Sequence, residues 1–180
     1  LLYNLPETSK RLLKKVSDLI VENRISPESR IVFVDDGSKD DTWNIIEGLH
    51  GQNPVFQGIK LSRNKGHQNA LLAGLMTVKE HCDTAISLDA DLQDDTDAID
   101  EMLLRYEEGC EVVYGVRSSR KTDSFFKKST ALLFYKLMSC MGVETVYNHA
   151  DYRLMSKRAL ESMEKFSEVN LFLRGIVPLI

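Results

Sequence analysis

Apolar positions along the chain change period several times, and each change marks an element. Leu12, Leu13, Val16, Leu19 and Ile20 recur at helical spacing, and Pro6 suits the opening turn of that helix. The run Ile31-Val32-Phe33-Val34 predicts a buried strand, which breaks into Asp35-Asp36-Gly37-Ser38. Trp43, Ile46 and Leu49 predict a short helix from about Asp41, and Val55 to Leu61 a second strand. Ala70, Leu71, Gly74, Leu75 and Val78 place a helix over Gly66 to Lys79. A third strand, Thr84-Ala85-Ile86-Ser87-Leu88, again runs into carboxylates, Asp89-Ala90-Asp91. Ile99, Met102, Leu103 and Tyr106 predict the next helix, and Glu111 to Val116 a strand. Beyond it the pattern predicts a long amphipathic helix from about Ser124 to Met141, a strand near Asp151–Met155 and a helix from Ser156 to Phe166.

Strands alternating with helices indicate an α/β fold with a mainly parallel sheet covered on both faces. Ligands of such sheets bind beyond the carboxyl ends of the strands. Two separate strands here deliver acidic clusters to that edge.

Charge sharpens this picture. A formal net charge of −4 excludes a general nucleic-acid binder, which needs a basic surface to displace counterions. The charge is unevenly spread, however. Residues 89–111 hold ten acidic side chains against Arg105, and residues 117–136 hold six basic ones against Asp123. One stretch suits a cation and the other an anion. Cys82, Cys110 and Cys140 show neither zinc-ligand spacing nor a disulfide framework, so free thiols in a reducing compartment are expected. Neither a signal peptide nor an apolar run of the ~18 residues needed to span a bilayer is apparent. The expected location is therefore the cytoplasm.

Three strand-to-helix junctions could do chemistry. Asp89, Asp91 and Gln93 offer only hard oxygen donors, which suit Mg²⁺ or Mn²⁺ rather than zinc. Alternation in an extended segment would put the three on one side, while a solvated acidic turn is the plainer reading. Asp94, Asp95 and Asp97 fit the exposed start of the next helix, where acids favour the dipole. Asp36-Gly37 suits a tight turn, and Asp41 or Thr42 a helix cap. Neither explains Asp35, which directly follows four buried apolar residues and, without a partner there, is expensive. A base N–H or a ribose hydroxyl would satisfy it. In Arg63-Asn64-Lys65-Gly66-His67, Arg63 can meet a phosphate and Gly66 allows close backbone approach at a helix start. His67 reads as a capping or packing histidine.

Taken together, the motifs VDDGSKDDT (34–42), LSRNKGHQNALLAGL (61–75), SLDADLQDD (87–95), YGVRSSR (114–120), FYKLMS (134–139), ADYRLMSK (150–157) and NLFLRGIVP (170–178) resemble family 2 glycosyltransferases of the GT-A fold. The likeness is strongest to the branch that transfers hexoses to dolichol or polyprenyl phosphate, and it covers nearly the whole chain in family order. It implies a Rossmann-like nucleotide-sugar-binding half over about 1–95 and an acceptor half over about 96–180, within one catalytic domain of 180 residues. It implies that Asp35, Asp36, Ser38, Arg63, Asn64, Gly66, Asp89, Ala90 and Asp91 hold the donor, with Asp89, Asp91 and Gln93 on the divalent cation. Asp151 is implied as the catalytic base or its equivalent, and Arg117, Lys128, Arg153 and Arg174 as collectors of an acceptor phosphate.

The implied activity is inverting transfer of a hexose from a UDP- or GDP-sugar to a polyprenyl phosphate in cell-envelope glycan synthesis. A sugar acceptor would need Asp151 as general base, whereas a phosphate is already a nucleophile and needs Asp151 only to orient the centre. The basic and apolar side chains of 125–141 suit either a domain-covering helix or the cytoplasmic face of an anionic membrane, and a homo-oligomer is left open. The family's opening strand, roughly VVxPxYNE, is not seen before LLYNLPETSK, Lys65 replaces a bulky residue, and the membrane-spanning helices common in this branch are not seen before Ile180. Two rival readings keep the same fold: an enzyme extending an exopolysaccharide or surface glycan, and a catalytically silent nucleotide-sugar-binding fragment. A signalling receiver domain would place a Lys, commonly followed by Pro, at a later strand end, and none is seen.

Overall fold

The computed structural model describes residues 4–116 and 149–166. The helix expected over 124–141, and with it Arg117, Lys128 and Arg174, lies outside the described residues. Helix α1 (Leu5–Val21) opens on Pro6 and buries Leu5, Leu12 and Leu19, one residue every two turns. It ends where Asn23 takes a left-handed conformation, φ 56°. Strand β1 (Ile31–Asp35) buries alternate residues Ile31, Phe33 and Asp35, so the carboxylate falls on the same face as the apolar pair. Helix α2 (Thr42–Gln52) returns the chain to β2 (Phe56–Lys60), which pairs parallel with β1 from Ile31↔Phe56 to Asp35↔Lys60. Helix α3 (His67–Val78) follows, then β3 (Thr84–Ser87), α4 (Ala98–Glu107), β4 (Val112–Val116), β5 (His149–Ser156) and α5 (Lys157–Glu164). Ser156 caps α5 by accepting from the Ala159 N–H at 3.0 Å.

Among the described residues the strands pair as two sheets, a parallel β1–β2 pair and a three-stranded β3–β5–β4 sheet, so the single mainly parallel sheet expected is only partly realised. β5 lies between β3 and β4 and runs antiparallel to both, so β3 and β4 are parallel to each other. Every residue of β5 from Asp151 to Ser156 is buried. The two faces of this strand serve different layers. Tyr152 and Leu154 join Leu19, Ile99, Met102 and Leu103 under α1 and α4, while Met155 joins Leu75, Ala159, Leu160 and Met163 under α3 and α5. Asp151 and Arg153 share the Met155 face by the same alternation. Leu154 and Leu160 are completely buried, each contributing about 1.5–3 kcal/mol on transfer from water. Lys15 bridges Asp97 (3.1 Å) and Asp100 (2.6 Å), and Arg24 reaches Asp100 at 3.2 Å, tying α1 to the start of α4. Among the described residues no helix is long and apolar enough to cross a membrane.

Between Tyr114 and Val116 the β4–β5 register shifts, and Gly115 sits at the shift. A Cβ there would lie 2.5 Å from Cδ1 of Tyr152 and 3.0 Å from Cε of Met102. The Tyr152 ring cannot swing aside, because it is buried and its hydroxyl donates to the Asp95 carbonyl at 2.8 Å. Gly115→Ala should therefore cost about 1–3 kcal/mol through overpacking. A urea melt of wild type and variant would check this, and an unchanged midpoint would mean that the sheet yields there.

Candidate active site

The loop after β1 and the loop after β2 are built as one piece. Gly37 adopts φ +65°, and a Cβ on it would stand 2.5 Å from the Arg63 carbonyl carbon and 2.7 Å from the Asn64 nitrogen. The two main chains thus touch without a side chain between them, which only glycine permits. Asp36 fastens the contact, one oxygen accepting from the Lys65 N–H at 2.7 Å and the other from the Gly66 N–H at 2.9 Å. Gly66 then turns the chain into α3 with φ +86° and ψ 152°, again a glycine conformation. Arg63 and Asn64 are exposed on this loop. Asp35 is only 2% exposed. Its Oδ1 accepts from the Ser38 N–H at 3.0 Å, and its buried Oδ2 has no partner among the described residues. A buried carboxylate oxygen without a donor is costly unless a ligand supplies one.

The acidic loop after β3 is a turn, the plainer of the two readings of 89–93, and not the extended ladder. Asp91 Oδ1 accepts from the Gln93 N–H at 2.9 Å, and Leu92 takes φ 65°. Together these reverse the chain instead of alternating it. Asp94, expected at the exposed helix start, folds back to accept the Asp89 N–H at 3.1 Å. Asn4 at the start of α1 donates to the Asp91 carbonyl at 3.4 Å. The Asp89 carboxyl is raised above its ordinary value, first by desolvation and then by Asp94, Asp91 and Asp151, with His67 opposing. Among the described residues no group of three or more His, Cys, Asp or Glu side chains forms a metal cage. A magnesium-type ion does not require one, since one or two carboxylates suffice when water and substrate phosphates complete its shell. Two adjacent carboxylates, one of them partly desolvated and crowded by like charge, fit such a cation.

Asp151 reaches the same edge from the opposite direction. β5 begins where β3 ends, so the Ser87↔Arg153 pairing sets Asp151 beside the acidic turn, and Ser87 Oγ donates to the Asp151 carbonyl at 2.6 Å. Asp151 is 4% exposed and Arg153 1%. Arg153 Nη2 donates to Asp151 Oδ1, while Oδ2 faces His67 Nε2 at 2.9 Å and Gln68 Nε2 at 3.3 Å. His67 Nε2 also lies 3.8 Å from Asp89 Oδ1.

Of the residues expected to act together, the structure joins the 35–38 and 63–66 loops and brings Asp89 and Asp151 to one imidazole. Arg153, expected at an acceptor phosphate, has its guanidinium enclosed and ion-paired with Asp151. His67 and Gln68 have contacts that sequence reasoning missed. His67 neither caps a helix nor packs in a core, since α3 has no side-chain cap and the ring side chain is 56% exposed. The usable signal was position, as both residues open a helix at a sheet edge that already gathers carboxylates.

Comparison with known proteins places this geometry. The model of glycosyl transferase family 2 matches residues 2–163. YkoT of Bacillus subtilis (strain 168), described as an uncharacterized glycosyltransferase, is 58% identical over 174 residues, covering 97% of this chain and 52% of the relative. The bactoprenol glucosyl transferase of Shigella phage SfV is 38% identical over 153 residues, covering 83% of this chain and 48% of the relative. The prophage bactoprenol glucosyl transferase homolog of Escherichia coli (strain K12) is 38% identical over 155 residues, covering 84% and 49%. The chain spans about half the length of the curated relatives it matches.

A carboxyl raised on folding stabilises the fold below its unfolded value and loses that contribution as pH rises through the folded value. Asp89 therefore weakens the metal-free fold at neutral pH. In EDTA, Asp89→Asn should melt at a higher temperature than wild type at neutral pH, with the gap closing as pH falls toward the ordinary carboxyl value of 3.8. A variant that melts lower at neutral pH would show that the ionised carboxylate is already compensated.

Proposed function

Since the chain belongs to glycosyl transferase family 2, we propose that it is the catalytic part of an inverting enzyme that moves a hexose from a nucleotide-sugar to a polyprenyl phosphate. One juxtaposition carries this reading: the loop of Asp35, whose buried oxygen has no donor among the described residues, is tied by Asp36 to the Gly66–His67 turn, which meets the acidic turn and the buried Asp–Arg pair. Asp35 Oδ2 would accept an N–H or hydroxyl of the nucleoside, beside the Ser38 backbone that holds its other oxygen. The exposed Arg63 and Asn64, on the loop clamped by Asp36, would flank the donor phosphates together with the backbone at Gly66 and Ala90.

Divalent cations are general in this family, and Asp89 and Asp91, with Gln93, are the residues that would hold Mg²⁺ or Mn²⁺ here. When bound, such an ion neutralises charge on the diphosphate leaving group. The chain's own residues orient the nucleophile. Asp151 is buried and both its oxygens already meet polar groups, Arg153 on one and His67 with Gln68 on the other. A carboxylate so engaged suits electrostatic orientation of the reacting centre better than removal of a hydroxyl proton. That favours an acceptor which arrives as an anion. The names of the bactoprenol glucosyl transferases support the same acceptor class, and the basic stretch 117–136 would meet it at a membrane surface.

Two outcomes follow. UDP or GDP binding measured by calorimetry should depend on Mg²⁺ or Mn²⁺ and be sharply weakened by Asp91→Asn, and equal affinity in EDTA would remove the cation from the site. In the full-length protein, Asp151→Asn leaves Arg153 without its counter-ion and should lower the melting temperature; assayed below that temperature, it should keep donor affinity while slowing transfer to undecaprenyl phosphate by on the order of 10²–10³-fold. Transfer to a soluble oligosaccharide but never to the lipid phosphate would move the assignment to a glycan-extending enzyme.

A further inference from the structure

An imidazole stands between two carboxylates at the sheet edge. His67 Nε2 lies 2.9 Å from Oδ2 of Asp151 and 3.8 Å from Oδ1 of Asp89, with the ring side chain 56% exposed. Its place is fixed from behind. It is the first residue of α3, Gly66 before it has a glycine-only conformation, and the N–H groups of Lys65 and Gly66 are both held by Asp36. A carboxylate gripped by Arg153 on Oδ1 alone would still turn about its Cβ–Cγ bond, because that torsion is broad. A second donor on Oδ2 sets its plane. Gln68 also donates there, but at 3.3 Å against 2.9 Å for the imidazole.

We propose that His67 is a positioning residue for the transfer reaction: its Nε2–H fixes the plane of the Asp151 carboxylate toward the acidic turn, and the Asp36 clamp aims the ring. This rests on the glycosyltransferase reading of the site. It assigns the loop after β2 a task apart from donor binding, because the same clamp that shapes the donor side of the edge sets the ring on the acceptor side. Asp36, Gly66, His67 and Asp151 form one mechanical chain across the site.

The first test does not depend on turnover. In full-length protein labelled with ¹⁵N-histidine, the His67 signal is identified by its loss in His67→Gln. It should show a proton on Nε2 that is shifted downfield by the carboxylate and moves upfield in Asp151→Asn. A His67 ring without a proton on Nε2, or one indifferent to Asp151→Asn, overturns the proposal whatever the protein transfers. The second test uses the same protein with undecaprenyl phosphate and UDP-glucose or GDP-mannose. His67→Ala should lower kcat by up to about 10²-fold, the scale of a misplaced reacting group, with donor Kd unchanged. His67→Gln, which keeps an N–H donor, should recover most of that loss. Asp151→Asn added to His67→Ala should cost little more than the worse single change, as expected of groups acting as a unit. Parallel losses in kcat and donor affinity, or His67→Gln no better than His67→Ala, would make His67 a donor contact or a bystander. Should wild type transfer to no acceptor, the glycosyltransferase reading fails, and the spectroscopic result still decides the His67–Asp151 contact.

Discussion

A buried Asp–Arg pair on an antiparallel strand is the constraint around which the rest of the described structure is arranged. Asp151 and Arg153 lie two residues apart on β5, on one face, and are almost wholly enclosed. Two charges in that position are tolerated only when each satisfies the other, and removing one partner from such a pair is strongly destabilising. Ser87 takes the Asp151 carbonyl, β3 and β4 flank Arg153 in register, and α3 brings polar groups to the remaining oxygen. β5 has to run against its neighbours for this to work. Only in that sense does its early part meet the carboxyl end of β3, where the acidic turn begins.

Much of the architecture was legible because burial and period coincide. β1 alternates as a half-buried strand should, and the anomaly that made Asp35 stand out in sequence, a carboxylate straight after an apolar run, is a carboxylate with one unpartnered oxygen in the fold. The direction of β5 was not legible, since period 2 is the same in either sense. At 89–93 an acidic turn and an extended ladder both remained open in sequence, because the choice depends on a left-handed leucine, a conformation that no side-chain pattern announces. The burial of Arg153 was not legible for a related reason: a charged residue in a strand reads as exposed until its partner two residues away is seen. His67 was undervalued because its significance lies in contacts 22 and 84 positions away along the chain.

The acidic excess of the middle of the chain divides into two parts with different fates. At the start of α4, Asp97 and Asp100 are answered by Lys15 of α1 and by Arg24 just beyond its end, so that their charge holds the two helices together. One turn earlier the carboxylates of Asp89, Asp91 and Asp94 crowd one another, and the Asp89 carboxyl rises for that reason and for its desolvation. α1 thereby anchors the far end of the acidic segment and leaves its near end electrostatically unsettled, a state that favours a visiting cation.

The main-chain contact of Gly37 with Arg63 and Asn64 carries a consequence for how such a protein can diverge. Because glycine geometry and an Asp36 grip on two N–H groups set the loop's path, the side chains at 63, 64 and 65 contribute little to holding it. They stand exposed at a rim whose shape stays constant when they change. These side chains can therefore be exchanged without rebuilding the scaffold, whereas an alanine at 37 would push apart the two walls of the rim. Freedom to change and rigidity thus occupy adjacent atoms of the same loop.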